Sequence, residues 1–188
     1  MPPSCSRCGA PTVWPVDRCR ECSGRRLGFT TARAAVAYAG AARAVVAAWK
    51  EHGLRRAAPL AAELVTEVVA RPAADVITYI PADPERLLRR GYHPAERLAG
   101  SLGDLWGIEV TSLLVRTGSR ERQAALSRTE RLRNTRDAFL AVAAAPPRVL
   151  LVDDVYTTGA TAAAGATALR RAGAGRVDVV TFARTVRA

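Results

Sequence analysis

The chain has 188 residues and a mass of 20.0 kDa, with 49% hydrophobic residues and a mean hydropathy of +0.01. A chain near that length buries roughly 70% of its unfolded surface in one main domain, with about 30 residues left for a small appendage, and the composition excludes a disordered chain. No apolar stretch approaches the roughly 20 residues of a membrane span, and the start of the chain lacks the apolar segment of a signal peptide, so a cytoplasmic protein with no membrane span is expected. Basic residues outnumber acidic ones 28 to 17 for a net charge of +11, and Lys50 is the only lysine. Alanine is about one residue in five; an Ala-rich, Lys-poor composition looks like coding bias, so individual arginines say little. Their sum still attracts phosphate-bearing partners, whether nucleotide, sugar phosphate or nucleic acid.

All four cysteines lie in the first 22 residues: Cys5, Cys8, Cys19 and Cys22, two CxxC pairs separated by ten residues. Each pair places two thiolates on one side of a tight turn, and a hairpin between them brings four sulfurs to the corners of a tetrahedron, which Zn2+ accepts without strain. Gly9 stands where such a knuckle needs a permissive backbone. Disulfides or a redox CxxC are the alternatives, but cytosolic thiols stay reduced, and a thioredoxin-like motif comes once, within a βαβ unit. Four protein ligands leave no open position, so the expected metal is structural. Arg7, Arg18, Arg20, Arg25 and Arg26 decorate the segment, either as a solvated face or as a nucleic-acid contact.

From Arg33 strands and helices alternate. Ala34, Val36 and Tyr38 alternate as a short strand, Gly40 breaks it, and Ala41 to His52 has helical composition ending at Gly53. Pro59 fits the first position of a helix whose apolar stripe is Leu60, Leu64, Val65, Val68 and Val69. DVITYI, Asp75 to Ile80, is a buried-strand candidate stopped by Pro81, and Leu98, Leu102, Leu105 and Trp106 mark another helix face. No linker appears, so the cysteine-bearing segment is expected to pack directly on the rest of the chain, with residues 1–30 forming a ribbon and residues 31–188 the main domain. Residues 116–139 are the most basic stretch; its first half reads as a loop and its second half, from Ser127 with Glu130 three residues on, as a short capped helix. It is either a solvated surface segment or a lid bringing guanidinium groups over an anion.

Val149 to Val152 then leads into Asp153, Asp154, Val155, Tyr156, Thr157, Thr158, Gly159, Ala160 and Thr161: strand, paired acids, hydroxyl-rich turn, Ala-rich helix. In an open parallel sheet such a turn lies at the carboxyl end of a strand, where ligands bind. The amides from Thr158 to Thr161 suit a phosphate group, helped by the threonine hydroxyls and the positive end of the helix dipole, and Gly159 allows close approach of the backbone. Two carboxylates beside a phosphate must face donors or a cation; ribose hydroxyls and Mg2+ both qualify. A Walker B strand would need GxxxxGK[ST], which is absent. A receiver domain would need more than the 35 residues that lie beyond Asp153. A plain strand-to-helix turn needs neither adjacent acids nor three threonines.

VLLVDDVYTTGAT resembles the signature of type I phosphoribosyltransferases, which bind 5-phosphoribosyl-1-diphosphate (PRPP). The chain as a whole, cysteine segment included, resembles the ComF family, known from bacterial competence for DNA uptake. The supporting pieces are the double CxxC, WKEHG at Trp49–Gly53, IPADPERLLRRGYHPAERLA at Ile80–Ala99, QAALSRTERLRNTRDAF at Gln123–Phe139 and VDVVTFAR at Val177–Arg184. The resemblance implies an α/β protein with the type I phosphoribosyltransferase fold: a mainly parallel sheet flanked by helices, plus a small N-terminal zinc ribbon. It implies that the catalytic pair Asp153 and Asp154 holds the ribose 2- and 3-hydroxyls, directly or through Mg2+, and that Thr157, Thr158, Gly159, Ala160 and Thr161 form the 5-phosphate loop. Pro81, Ala82 and Asp83 take the place of the diphosphate loop, with Arg89 and Arg90 just beyond, and Arg122, Gln123, Arg128 and Arg131 fall in the region that closes over the ligand. The chain reads RGYHP at Arg90–Pro94 where the family usually reads RGFNQ, so two side-chain amides are replaced.

Two functions are expected. One is transfer of a phosphoribosyl group from PRPP, or a related phosphorylated ribose, to an acceptor the sequence does not name. The other is a non-catalytic PRPP-fold protein of DNA uptake that contacts single-stranded DNA or DNA-processing proteins through the ribbon and the Arg-rich surface. His52 and His93 are the only histidines, and neither lies in the signature, so each is read as structural or exposed.

Overall fold

A computed structural model describes residues 3–51, 56–117 and 138–186. Arg122, Gln123, Arg128 and Arg131, the helix expected from Ser127, and His52 lie outside the described residues.

In chain order, β1 (Thr31–Ala37) is followed by α1 (Gly40–Glu51) and α2 (Ala57–Val68), then β2 (Val76–Tyr79), α3 (Pro84–Arg90) and α4 (Pro94–Trp106). After β3 (Leu114–Arg116) and β4 (Phe139–Ala141) come β5 (Arg148–Tyr156), α5 (Ala160–Arg171) and β6 (Arg176–Arg184). β1, β6, β5 and β2, in that order, form a four-stranded parallel sheet, and β3 and β4 form a separate antiparallel pair. The expected α/β architecture, a parallel sheet flanked by helices, is present. The sheet is parallel because each of its strands returns through helical crossovers, and its central strands are apolar on both faces because helices cover both.

Side chains alternate along β5, so one strand feeds two cores. Val149 and Leu151 join Leu169 of α5, Val179 of β6 and the N-terminal residues Cys5, Leu27 and Phe29. Leu150 and Val152 join Trp49 of α1, Val65 of α2, Leu98 and Leu102 of α4, and Val180 and Phe182 of β6. The cysteine segment therefore packs directly on the α5 face of the sheet, as its sequence predicts. Gly28 marks how close the approach is: a Cβ there would stand 2.6 Å from the Thr167 amide nitrogen of α5.

Several elements differ from expectation: Tyr38 lies outside β1, Leu105 of the expected α4 face is exposed, and the β3–β4 pair was not foreseen. α2 begins two residues before Pro59, and its buried face is Ala57, Ala58, Ala61, Ala62 and Val65, with Leu60 and Val68 exposed. Small residues let α2 lie close against α4, so alanine rather than leucine sets the inward side. α3 was not foreseen, although its signals are present: Asp83 accepts from the Glu85 and Arg86 amides as N-cap, Pro84 opens the helix, and Gly91 closes it in the left-handed region at φ 70°. β5 extends through Tyr156, so the acid pair lies inside the strand rather than after it.

Candidate functional site

The two CxxC turns close as knuckles. The Cys5 carbonyl accepts from the Gly9 amide at 2.9 Å, and the Cys19 carbonyl accepts from the Cys22 and Ser23 amides at 2.9 and 3.0 Å. Gly9 has φ 70°, as its place in the knuckle requires. All four sulfurs lie within 4.8 Å of one another, with Cys5 to Cys22 at 3.9 Å and Cys8 to Cys19 at 3.6 Å. A tetrahedral Zn2+ with sulfurs at about 2.3 Å needs sulfur-to-sulfur edges of about 3.8 Å, whereas a disulfide needs about 2.05 Å; the cluster has the dimensions of a metal site. Burial holds the Cys8 and Cys22 thiols above their ordinary range, at Cys22 with the neighbouring sulfurs adding to the rise, a condition that a bound divalent cation reverses by stabilising thiolates.

The threonine turn sits between the carboxyl end of β5 and the first turn of α5. Gly159 is the helix N-cap at φ 71°, and Thr157, Thr158, Ala160 and Thr161 around it are exposed. Thr158 Oγ1 accepts from the Ala160 amide at 3.3 Å. Gly159 is demanded twice, since a Cβ would also overlap the Tyr156 hydroxyl. Asp153 lines the same small hollow as Thr157, Gly159, Thr161 and Thr181.

The acid pair is divided by the pleat. Asp153 accepts the Asp154 amide at 2.9 Å, while Asp154 meets Lys50 Nζ of α1 at 2.8 Å. Asp154 thus faces a cation within the chain itself, its sole lysine. Its isolation among arginines was the available clue. WKEHG gains a physical sense: Trp49 is fully buried against Phe182 and so directs the next residue toward the strand end.

Burial, followed by the adjacent Asp154 charge, pushes the Asp153 carboxyl from 3.8 up to about 8. With the folded value above the unfolded one, the native state retains a proton that the unfolded chain has lost between those values, so stability falls as pH rises through that window. We expect Asp153→Asn to flatten this dependence in the ligand-free protein. Urea midpoints taken between pH 5 and pH 8 should converge for the variant and diverge for the parent; parallel curves would refute the assignment.

The Pro81–Asp83 turn is half-buried at the end of β2, and Asp83 is engaged as the α3 cap. Arg89 is exposed, and Arg90 is half-buried with its Nε unpartnered. None of the polar contacts described joins this turn to the threonine turn. His93 accounts for the RGYHP departure: it is buried as the α4 N-cap, and Pro94 fills the first helical position. Its ring lies between two backbone amides, Glu96 N 3.3 Å from Nδ1 and Ala82 N 2.5 Å from Nε2; a neutral imidazole accepts from one at a time. Burial lowers its pKa and keeps it neutral. His93 therefore ties the Pro81–Asp83 turn to α4.

Two arginines whose contacts leave no signal in the local sequence join the cysteine segment to the end of β5 and the threonine turn. Arg25 Nη1 donates to the Thr158 carbonyl at 2.8 Å. Arg184, buried at the end of β6, donates to the Cys8 carbonyl, pairs with Glu21 at 3.2 Å and lies 4.9 Å over the Tyr156 ring, whose edge meets Phe29. The turn and the cysteine cluster are mechanically one unit.

Among the described residues no helix is long and apolar enough to cross a membrane. No family model matches the chain, and no solved structure matches it. Competence protein ComFC of Streptococcus pneumoniae (strain ATCC BAA-255 / R6) is 38% identical over 106 residues, 55% of this chain and 44% of that protein. DNA utilization protein YhgH of Salmonella typhi is 36% identical over 138 residues, 69% of this chain and 61% of that protein. The chain thus spans less than two thirds of the length of either relative. Similarity to these two proteins, on top of the double CxxC and the strand-to-helix signature, supports assignment of the chain to the ComF family.

Proposed function

We propose that the chain binds PRPP with Mg2+ at the end of β5 and transfers its phosphoribosyl group to an acceptor. The observation that carries this reading is the hollow shared by Asp153 with Thr157, Gly159 and Thr161 of the turn, which sets a carboxyl group for sugar hydroxyls beside a helix start suited to the 5-phosphate. Thr157, Thr158, Gly159, Ala160 and Thr161 would hold that phosphate. Asp153 and Asp154 would hold the ribose hydroxyls, directly or through Mg2+, and Mg2+ would supply neutralisation of the diphosphate charge. Pro81, Ala82, Asp83, Arg89 and Arg90 would take the diphosphate side. In transfer, the bond from ribose C1 to the diphosphate oxygen breaks, its electron pair leaves with diphosphate, and an acceptor lone pair forms the new bond to C1. The protein's contribution is to position both groups and to stabilise the departing charge. In the same reading residues 1–30 form a ribbon around structural Zn2+, and the phosphoribosyltransferase-like domain begins at residue 31.

The two relatives, a competence protein and a DNA utilization protein, favour a second reading, a non-catalytic PRPP-fold protein of DNA uptake whose ribbon and arginines meet single-stranded DNA or DNA-processing proteins. Calorimetry with PRPP and Mg2+, combined with diphosphate release across a panel of bases and amines, separates the two. At pH values above about 8, where Asp153 is ionised, we expect PRPP binding that Asp153→Asn weakens by at least about tenfold, the loss of one hydrogen bond to a charged group. Release with an acceptor supports the enzyme; binding without release, accompanied by salt-sensitive DNA binding, supports the second reading. No PRPP binding by the parent chain overturns both.

A further inference from the structure

We propose that the cleft between the cysteine segment and α5 is a second anion site that takes a small oligophosphate, such as the di- or triphosphate group of a nucleotide. Arg7, Arg18, Arg25 and Arg26 from one wall and Arg170 from the last turn of α5 line a cavity of about 380 Å³. The other lining residues, Leu27, Gly28 and Thr167, add a hydroxyl and no carboxylate.

None of the five arginines belongs to an ion pair among the described residues. Their described polar contacts go to uncharged backbone carbonyls: Arg7 to Phe29 at 3.1 Å, Arg25 to Thr158 at 2.8 Å and Arg170 to Ala174 at 3.0 Å. Arg7 Nε is buried with no partner. Five guanidinium groups around one cavity repel one another, and a ligand carrying several negative charges removes that repulsion through charge-assisted, forked hydrogen bonds.

Size and lining select the ligand class. The volume falls in the range of small-molecule sites, roughly 300 to 1,000 Å³. Single-stranded nucleic acid instead calls for aromatic platforms along a basic track, and no aromatic side chain lines this cavity. The cavity shares no lining residue with the hollow at the β5 turn, and Arg25 links them by donating to the Thr158 carbonyl.

The test titrates inorganic tripolyphosphate into the zinc-loaded full chain by calorimetry. Arg18→Ala/Arg26→Ala and, on the opposite wall, Arg170→Ala spare the Arg25 contact and alter exposed side chains. Each should weaken binding by at least about tenfold, the loss of one or two charge-assisted hydrogen bonds. Arg43→Ala/Arg97→Ala, which removes equal charge from exposed positions of α1 and α4, should leave it unchanged. Equal weakening by this control pair, unchanged affinity in both cleft variants, or binding of a single-stranded oligonucleotide that tripolyphosphate fails to displace would each overturn the proposal.

Discussion

Cys22→Ser should abolish stoichiometric metal binding and lower the stability of the entire chain, not just of its first 30 residues. Zinc in a four-thiolate site contributes apparent binding of about 10 to 16 kcal/mol to the folding of a small metal-bound segment, and Cys22 is one of four sulfurs in one cluster. Once the knuckles open, Leu27 and Phe29 leave the α5 face of the sheet, forfeiting about 1.5 to 3 kcal/mol each. Arg184, 5% exposed while the segment is packed, also loses its Cys8 and Glu21 partners. Metal content by native mass spectrometry and the thermal unfolding midpoint should therefore fall together, and chelation of the parent chain should reproduce the shift. A metal-free variant that melts where the parent melts would refute this coupling.

Gly159→Val should produce the second large effect, this time at the ligand turn. A β-branched residue at φ 71° is strained by about 1 to 2 kcal/mol, and its side chain must displace the Tyr156 ring from its place between Phe29 and Arg184. Overpacking of that kind adds about 1 to 3 kcal/mol. Urea denaturation should register the sum, and under the proposed function PRPP binding should disappear with it. Thr157→Ala, at an exposed position of the same turn, should change stability by less than about 0.5 kcal/mol while still weakening PRPP. Parent-like stability in Gly159→Val would show that Tyr156 does not fix the turn.

Much of the fold could be read from short stretches of chain. The four-cysteine cluster was legible because a CxxC knuckle is built from hydrogen bonds between residues three or four apart, with Gly9 in the left-handed region to allow it. DVITYI and VLLV read as buried strands because parallel strands covered on both faces leave no polar alternation. The helix after Gly159 was legible from its glycine and its alanines. α2 was legible as a helix but not in orientation, because Leu60 and Val68 outrank alanine on any hydrophobic scale and only the proximity of α4 makes the small residues the buried ones.

The composition of the candidate site divides along the same line. Local order along the chain sufficed for what each segment is: a metal knuckle, an acidic strand end, a glycine-led helix start. The tertiary structure alone decided what each segment touches. Lys50 answers Asp154 from another element, Arg184 reaches Glu21 across 163 positions, and Arg25 reaches Thr158 across 133. The physical reason is range: backbone hydrogen bonding and side-chain periodicity act over a few residues and leave a pattern in the sequence. A charged pair forms between whichever groups the packed sheet brings within a few ångströms, and in a chain with 27 arginines no local pattern marks Arg184 as buried.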